Sequence, residues 1–151
     1  MTQTPATTTG HRAMVDPRAP RFGQGLTASL LVVGIALVEP MVVYLVAVVL
    51  VTSVLTGWRV DLYGLLWRYA ARRLVTTPVD PEPAAPHRFA KLLGATGTTL
   101  ATGLLLVDLP LLGFAIAGVI AVLAGLAAVS GLCLGCKMYR QVSTLRRLDI
   151  V

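Results

Sequence analysis

Charge is scarce in this chain. Asp, Glu, Lys and Arg make up 13% of its 151 residues while 56% are hydrophobic, a balance too apolar for an ordinary soluble domain. The class this leaves is integral membrane protein. Cysteine is scarcer still: Cys133 and Cys136 are the only two, so one chain cannot complete a four-cysteine zinc site, and a metal centre would need two chains. No cofactor motif is present. Aromatics are 6% of the chain and do not interleave with a basic face, which excludes nucleic acid as the partner of the net charge of +6. The basic residues sit instead beside apolar segments, where the lipid bilayer and its anionic headgroups are the nearer partner. Ionisable residues are missing from the interior of the apolar runs, which argues against a pump. The two histidines, His11 and His87, fall in a tail and a loop and are given no role.

What is present is organised in two similar units. Residues 1–21 are rich in Thr and Pro without hydrophobic period and read as a mobile N-terminal tail. Four apolar segments follow: Phe22 to Val38, Pro40 to Thr56, Leu92 to Val107 and Leu109 to about Val129. The first three would be roughly 25 Å long as helices, near the lower limit for crossing a hydrocarbon core. Between them, "VEP" at Val38–Pro40 and "VDLP" at Val107–Pro110 each combine an acid with a proline. Both read as tight turns in which proline opens the next helix and the acid lies near its positive N-terminus.

All 13 Lys and Arg residues fall in the N-terminal tail, the middle segment or the C-terminal segment, and none in the two turns. The positive-inside rule therefore places both termini and the middle loop in the cytoplasm, with Glu39 and Asp108 outside. A cleaved signal peptide is the rival reading of the first segment, since "GIA" at Gly34–Ala36 faintly resembles a cleavage site. The repeat opposes it. "DPRAPRFGQGL" (Asp16–Leu26) returns loosely as "DPEPAAPHRFAKLL" (Asp80–Leu93), each followed by an apolar run, a turn and a second run.

The expected fold is thus an all-α integral membrane protein: four transmembrane helices as two tandem hairpins in the same orientation, each followed by an amphipathic interfacial segment. By residue, 22–74 form the first hairpin with its interfacial helix, 75–87 a Pro-rich linker, and 88–151 the second hairpin with the thiol pair and a basic C-terminal segment. In the first amphipathic segment Leu62, Leu65, Leu66 and Tyr69 recur at helical spacing, with Trp58, Tyr63 and Trp67 suited to headgroup level; the alternative is a simple extension of the second span. Small residues Gly113, Ala117, Ala121 and Gly125 in the fourth span, and Gly94, Thr98 and Thr102 in the third, mark faces for close helix packing, within the chain or in a homo-oligomer.

The candidate catalytic residues are Cys133 and Cys136 in "SGLCLGCKMYR" (Ser130–Arg140), three apart and so on one helical face. Such a pair can form a disulfide, pass a persulfide sulfur, or supply half of a metal site. If Ser130-Gly131 interrupts the fourth span and a new helix begins there, its dipole favours a Cys133 thiolate, making Cys133 the nucleophile and Cys136 the resolving thiol. If the span continues unbroken, the dipole opposes the thiolate and only Lys137 and Arg140 favour it. A cytoplasmic location disfavours a structural disulfide. Two small apolar residues at a helix end is the plain alternative.

Together, "DPRAPRF", its echo "PHRFAKLLGA" and "GLCLGCKMY" resemble the membrane family catalogued as domain-of-unknown-function family 4395, from Val15 to about Tyr139. There the last motif usually reads Gly-Phe-Cys-x-Gly-Cys followed by an acid; here Leu132 replaces the Phe and Lys137 the acid. The resemblance implies a small multi-spanning protein associated with thioredoxin-like or rhodanese-like partners. The expected function is thiol-disulfide exchange or sulfur transfer with such a partner. A carrier or channel for a small sulfur-containing or neutral solute, and a membrane scaffold docking a partner, are the other two readings.

Overall fold

A computed structural model of the chain describes residues 14–71, 80 and 82–131. The fold is all-helical: α1 (Arg18–Ala36), α2 (Pro40–Leu55), a short α3 (Leu62–Leu66) prolonged by a π-helical turn (Trp67–Ala71), α4 (Ala84–Leu106) and α5 (Pro110–Ser130). Among the described residues the only extended pairing is a two-residue antiparallel ladder, β1 (Met14–Val15) with β2 (Glu82–Pro83). Order therefore reaches back before Phe22, and α4 begins inside the stretch that composition marks as a linker. The reason is local: the Asp16 carboxylate accepts the Arg18 N–H at 2.9 Å and its carbonyl the Ala19 N–H at 3.1 Å, starting α1 one turn early.

The four long helices close into a ring, α1 packing on α2 and α5 while α4 packs on α2 and α5. Gly25 faces Ala128, Gly125 faces Ala28 and Gly118 faces Ile35, so α1 and α5 are antiparallel; the two hairpins accordingly run in the same orientation. One end of the bundle holds the starts of α1 and α4 and the ends of α2 and α5. The two hairpin turns occupy the other.

Both turns have one backbone design. Val38 takes φ +53° and the Glu39 N–H returns to the Gly34 carbonyl at 2.8 Å; Asp108 takes φ +56° and the Leu109 N–H returns to the Leu104 carbonyl at 3.0 Å. This is the closure in which a left-handed residue ends a helix and the next N–H reaches back five residues. Pro40 and Pro110 then open the following helices. The acids differ in role. Glu39 caps α2, accepting the Met41 N–H at 3.4 Å, whereas in "VDLP" one extra residue moves Asp108 back into the left-handed position and it caps nothing.

A β-branched residue in left-handed backbone is strained by about 1–2 kcal/mol. Val38 is also largely exposed, so its side chain recovers little by packing. Replacing Val38 with glycine is expected to raise the unfolding free energy by about 1 kcal/mol in detergent denaturation. Asp108→Gly should gain less, because Asp tolerates that conformation better.

The first hairpin and its connection put Leu31, Val43, Val46, Leu50 and Tyr63 into the core, and the second hairpin meets them with small residues. In α4 and α5 every buried residue is Ala, Thr or Gly: Ala84, Ala95, Thr98 and Ala101 in one, Gly113, Ala117, Ala121 and Ala127 in the other. Large apolar side chains point outward instead, among them Val32, Leu45, Val48, Leu100, Val119 and Val122. Three of the four threonines of α4 bond to their own helix, Thr96 to the Leu92 carbonyl at 2.9 Å, Thr98 to Gly94 at 2.9 Å and Thr99 to Ala95 at 2.7 Å, while the buried Thr102 hydroxyl has no partner among the described residues. Among the described residues two helices, α4 with 23 residues and α5 with 21, have the length and composition to cross a membrane; α2 is apolar but shorter, at 16. Counted from Phe22 and Phe89 to the helix ends, α4 is three residues longer than α1, nearly one turn.

Candidate functional site

The chemistry-bearing residues gather at the end of the bundle opposite the turns. There α5 stops at Ser130, and Gly131 takes φ +67°, a left-handed conformation through which no α-helix continues. The positive φ is what requires glycine at this position. A Cβ on Gly131 would lie 2.7 Å from a guanidinium nitrogen of Arg21, which reaches over from the first turns of α1. A cation is thereby held at the negative end of α5, where the dipole favours it. Cys133 and Cys136 lie outside the described residues, beginning two positions beyond Gly131.

Beside this end a cavity of about 1050 Å³ opens between the hairpins. Arg59, Arg68, Arg88 and Lys91 line it toward the bundle end, and Leu50 and Ile120, further along α2 and α5 from that end, line it with Leu93, Gly94 and Leu123. The connection leaving α2 forms one wall. A third left-handed closure, with Gly57 at φ +60° and the Trp58 N–H on the Ser53 carbonyl at 3.0 Å, turns the chain across the bundle end. Asp61 then precedes α3 in the N-cap position, yet its carboxylate does not cap the helix. It meets Lys91 of α4, Nζ to Oδ1 2.6 Å, an ion pair that ties the first hairpin's connection to the second hairpin.

Tyr63 explains why α3 lies where it does. The sequence suits this ring to headgroup level, but the structure buries it to 4% exposure against α1. Gly23 makes the room: a Cβ there would stand 3.2 Å from the Cβ of Tyr63. Burial removes water from the phenol and raises its pKa above the ordinary value; the Thr27 hydroxyl opposes the rise and the Asp61 carboxylate adds to it. The phenol is therefore neutral at physiological pH. The Lys91 ammonium stands 5.8 Å from the Tyr63 ring centre and the Arg88 guanidinium 5.8 Å from that of Trp58, distances at which a cation is attracted to an aromatic face. Phe22 and Trp67 meet with ring centres 5.6 Å apart. Leu62, Leu65, Leu66 and Tyr69 face outward, exposed, from the same segment.

Sequence reasoning singled out the thiols and passed over Arg21, Asp61 and Lys91. A signal for the pair was present: Asp61 is the one acid within the Arg-rich segment "WRVDLYGLLWRYAARRLV", and it follows an aromatic-basic pair. Nothing in the sequence sets Arg21 beside Gly131, since the two meet only when α1 and α5 pack. His87, given no role, stands 3.2 Å from Glu82 through Nε2 and lines the cavity. No group of three or more His, Cys, Asp or Glu that could hold a metal occurs among the described residues.

The family described as Domain of unknown function (DUF4395) matches residues 15–144, and the chain belongs to that family. No curated protein and no solved structure matches it.

Proposed function

We propose that this member of the family is a four-span membrane protein with both termini cytoplasmic, and that Cys133 and Cys136 exchange electrons or sulfur with a soluble thioredoxin-like or rhodanese-like partner. The four-span reading is supported by packing. Helices α1 and α2 share one bundle with α4 and α5, and exposed Val32, Val33, Leu45 and Val48 continue the apolar outer surface around them. A water-facing bundle would bury those side chains and not its alanines.

The observation that carries the thiol reading is the end of α5. The helix closes at Ser130, and the Arg21 guanidinium lies against Gly131. Cys133 is two residues further along the chain, which supports a cation near its thiol. A cation there favours the thiolate form, the form that reacts. In the exchange, the Cys133 thiolate attacks one sulfur of the partner's disulfide, forming a mixed disulfide and expelling the other sulfur as thiolate. Cys136, as thiolate, then attacks the Cys133 sulfur; the partner leaves reduced by two electrons and Cys133–Cys136 is left oxidised. In the sulfur-transfer version, Cys133 attacks the outer sulfur of a partner persulfide and takes it, releasing the partner's thiolate.

The test is pH-dependent alkylation of the purified protein read by mass spectrometry, with partner capture alongside. Cys133 is expected to react as thiolate at neutral pH and to need higher pH in Arg21→Gln. Cys136→Ser should trap a mixed disulfide or persulfide on Cys133, and Cys133→Ser should abolish capture. Two sluggish thiols indifferent to Arg21, with no capture in either variant, would overturn the reading.

A further inference from the structure

We infer that the cavity between the hairpins is a binding site for an anionic membrane lipid, held with its phosphate at the basic end and the upper part of an acyl chain on the apolar lining. The inference rests on the membrane placement proposed above and is independent of the thiol chemistry.

Charge selects the head. Four cations, Arg59, Arg68, Arg88 and Lys91, line the cavity against two acids, Asp16 and Asp61. Both acids are engaged, Asp61 with Lys91 and Asp16 with the Arg18 N–H. No ion pair joins Arg59, Arg68 or Arg88 to an acid among the described residues. Three guanidinium groups around one opening present donors for a phosphate. A zwitterionic headgroup would bring its own cation among them.

The apolar lining selects the tail. Leu50 and Ile120, the lining residues furthest along their helices from the basic end, and their neighbours Leu93 and Leu123 carry no charge, and a free phosphate at the basic end would leave them against water. At about 1050 Å³ the space is at the upper end of small-molecule pockets, room for a headgroup with part of a chain. Position agrees with both. The opening lies at the basic end of the bundle, where Trp58 and Trp67 line the wall at the level that anionic headgroups of the cytoplasmic leaflet would occupy.

The experiment reconstitutes the full chain in vesicles of equal parts phosphatidylcholine and phosphatidylglycerol, washes them with alkaline carbonate, and counts lipids retained per chain by native mass spectrometry. One phosphatidylglycerol per chain is expected, in preference to phosphatidylcholine. Arg59→Gln with Arg88→Gln should lower that retention about tenfold. Ala124→Phe, which puts a ring into the cavity from α5, should abolish it, and Leu123→Trp gives a second filling of the same lining should the first fail to fold. Cys133→Ser should change nothing. Retention that survives both filling variants but falls with the arginines would mean surface attraction of headgroups and would overturn the site. So would displacement of the lipid by inorganic phosphate alone, which would make this a free-anion site. A chain that stays in the vesicles without anionic lipid overturns the site and leaves the membrane reading standing; a chain that the carbonate removes overturns both.

Discussion

Replacing Gly113 with leucine is expected to break the α4–α5 hairpin apart. A Cβ at Gly113 would lie 2.6 Å from Leu105 Cγ and 3.1 Å from the Ala101 carbonyl oxygen. The first neighbour is a side chain with some room to turn, but the second is helix backbone and cannot yield without α4 moving. Overpacking of this kind costs about 1–3 kcal/mol for a small addition. Gly113→Ala should therefore lose about 2 kcal/mol of unfolding free energy, and Gly113→Leu should exceed what the hairpin can absorb. Gly103 is the control. It sits on α4 with nothing within 4 Å of its would-be Cβ, so Gly103→Ala should be neutral or stabilise by up to about 1 kcal/mol through helix propensity. Gly97 falls between them, because the obstacle there is the flexible end of Ile120. Unfolding in mixed micelles, followed by circular dichroism, ranks the variants; equal losses at Gly113 and Gly103 would show that the α4–α5 approach is not set by this glycine.

That ordering shows what a sequence of this kind discloses. The four apolar segments, their C-terminal boundaries to within a residue or two and the stripe Gly113, Ala117, Ala121 are readable because period and residue size are properties of the chain itself, and the structure buries those three positions, whereas α4 starts eight residues before Leu92. The start of α1 was missed because hydropathy marks where a helix is greasy, whereas Asp16 starts it by hydrogen bonding in a stretch that is not. Both acids lie near the next helix's N-terminus as the turns suggest, but "VEP" and "VDLP" look alike as compositions, and only the count of residues before proline sets which acid caps. The segment's amphipathic pattern suits Tyr63 to headgroup level, because it cannot register that Gly23, forty residues earlier, leaves a space the ring fills. The site divides along the same line. The cysteines are legible as a motif, while Arg21 beside Gly131 and Lys91 beside Asp61 are products of two hairpins meeting.

The second large effect is expected at that meeting. Lys91→Met should cost about 2 kcal/mol of unfolding free energy, less than the 3–5 kcal/mol of a fully buried pair because Asp61 keeps about a third of its side chain exposed. The loss comes from what is left behind. Without the ammonium, Asp61 stands as an unpaired carboxylate beside the buried Tyr63 and with Gly64 closing over it, a Cβ on which would lie 3.1 Å from Oδ2. Asp61→Asn should cost less, about 1 kcal/mol, since no carboxylate is left unpaired and the ammonium, 18% exposed, keeps the Tyr63 ring face. In the double variant Asp61→Asn with Lys91→Met no charge is stranded, so its loss should fall below the sum of the two by about 1 kcal/mol. Strict additivity would mean that the 2.6 Å contact holds nothing together. A coupling of the expected sign would identify the ion pair as a polar clasp between the hairpins, beside the close approaches of α1 to α5 at Gly25, Gly118 and Gly125 and of α2 to α4 at Gly94, which bring the units together but do little to fix the rotation of one against the other.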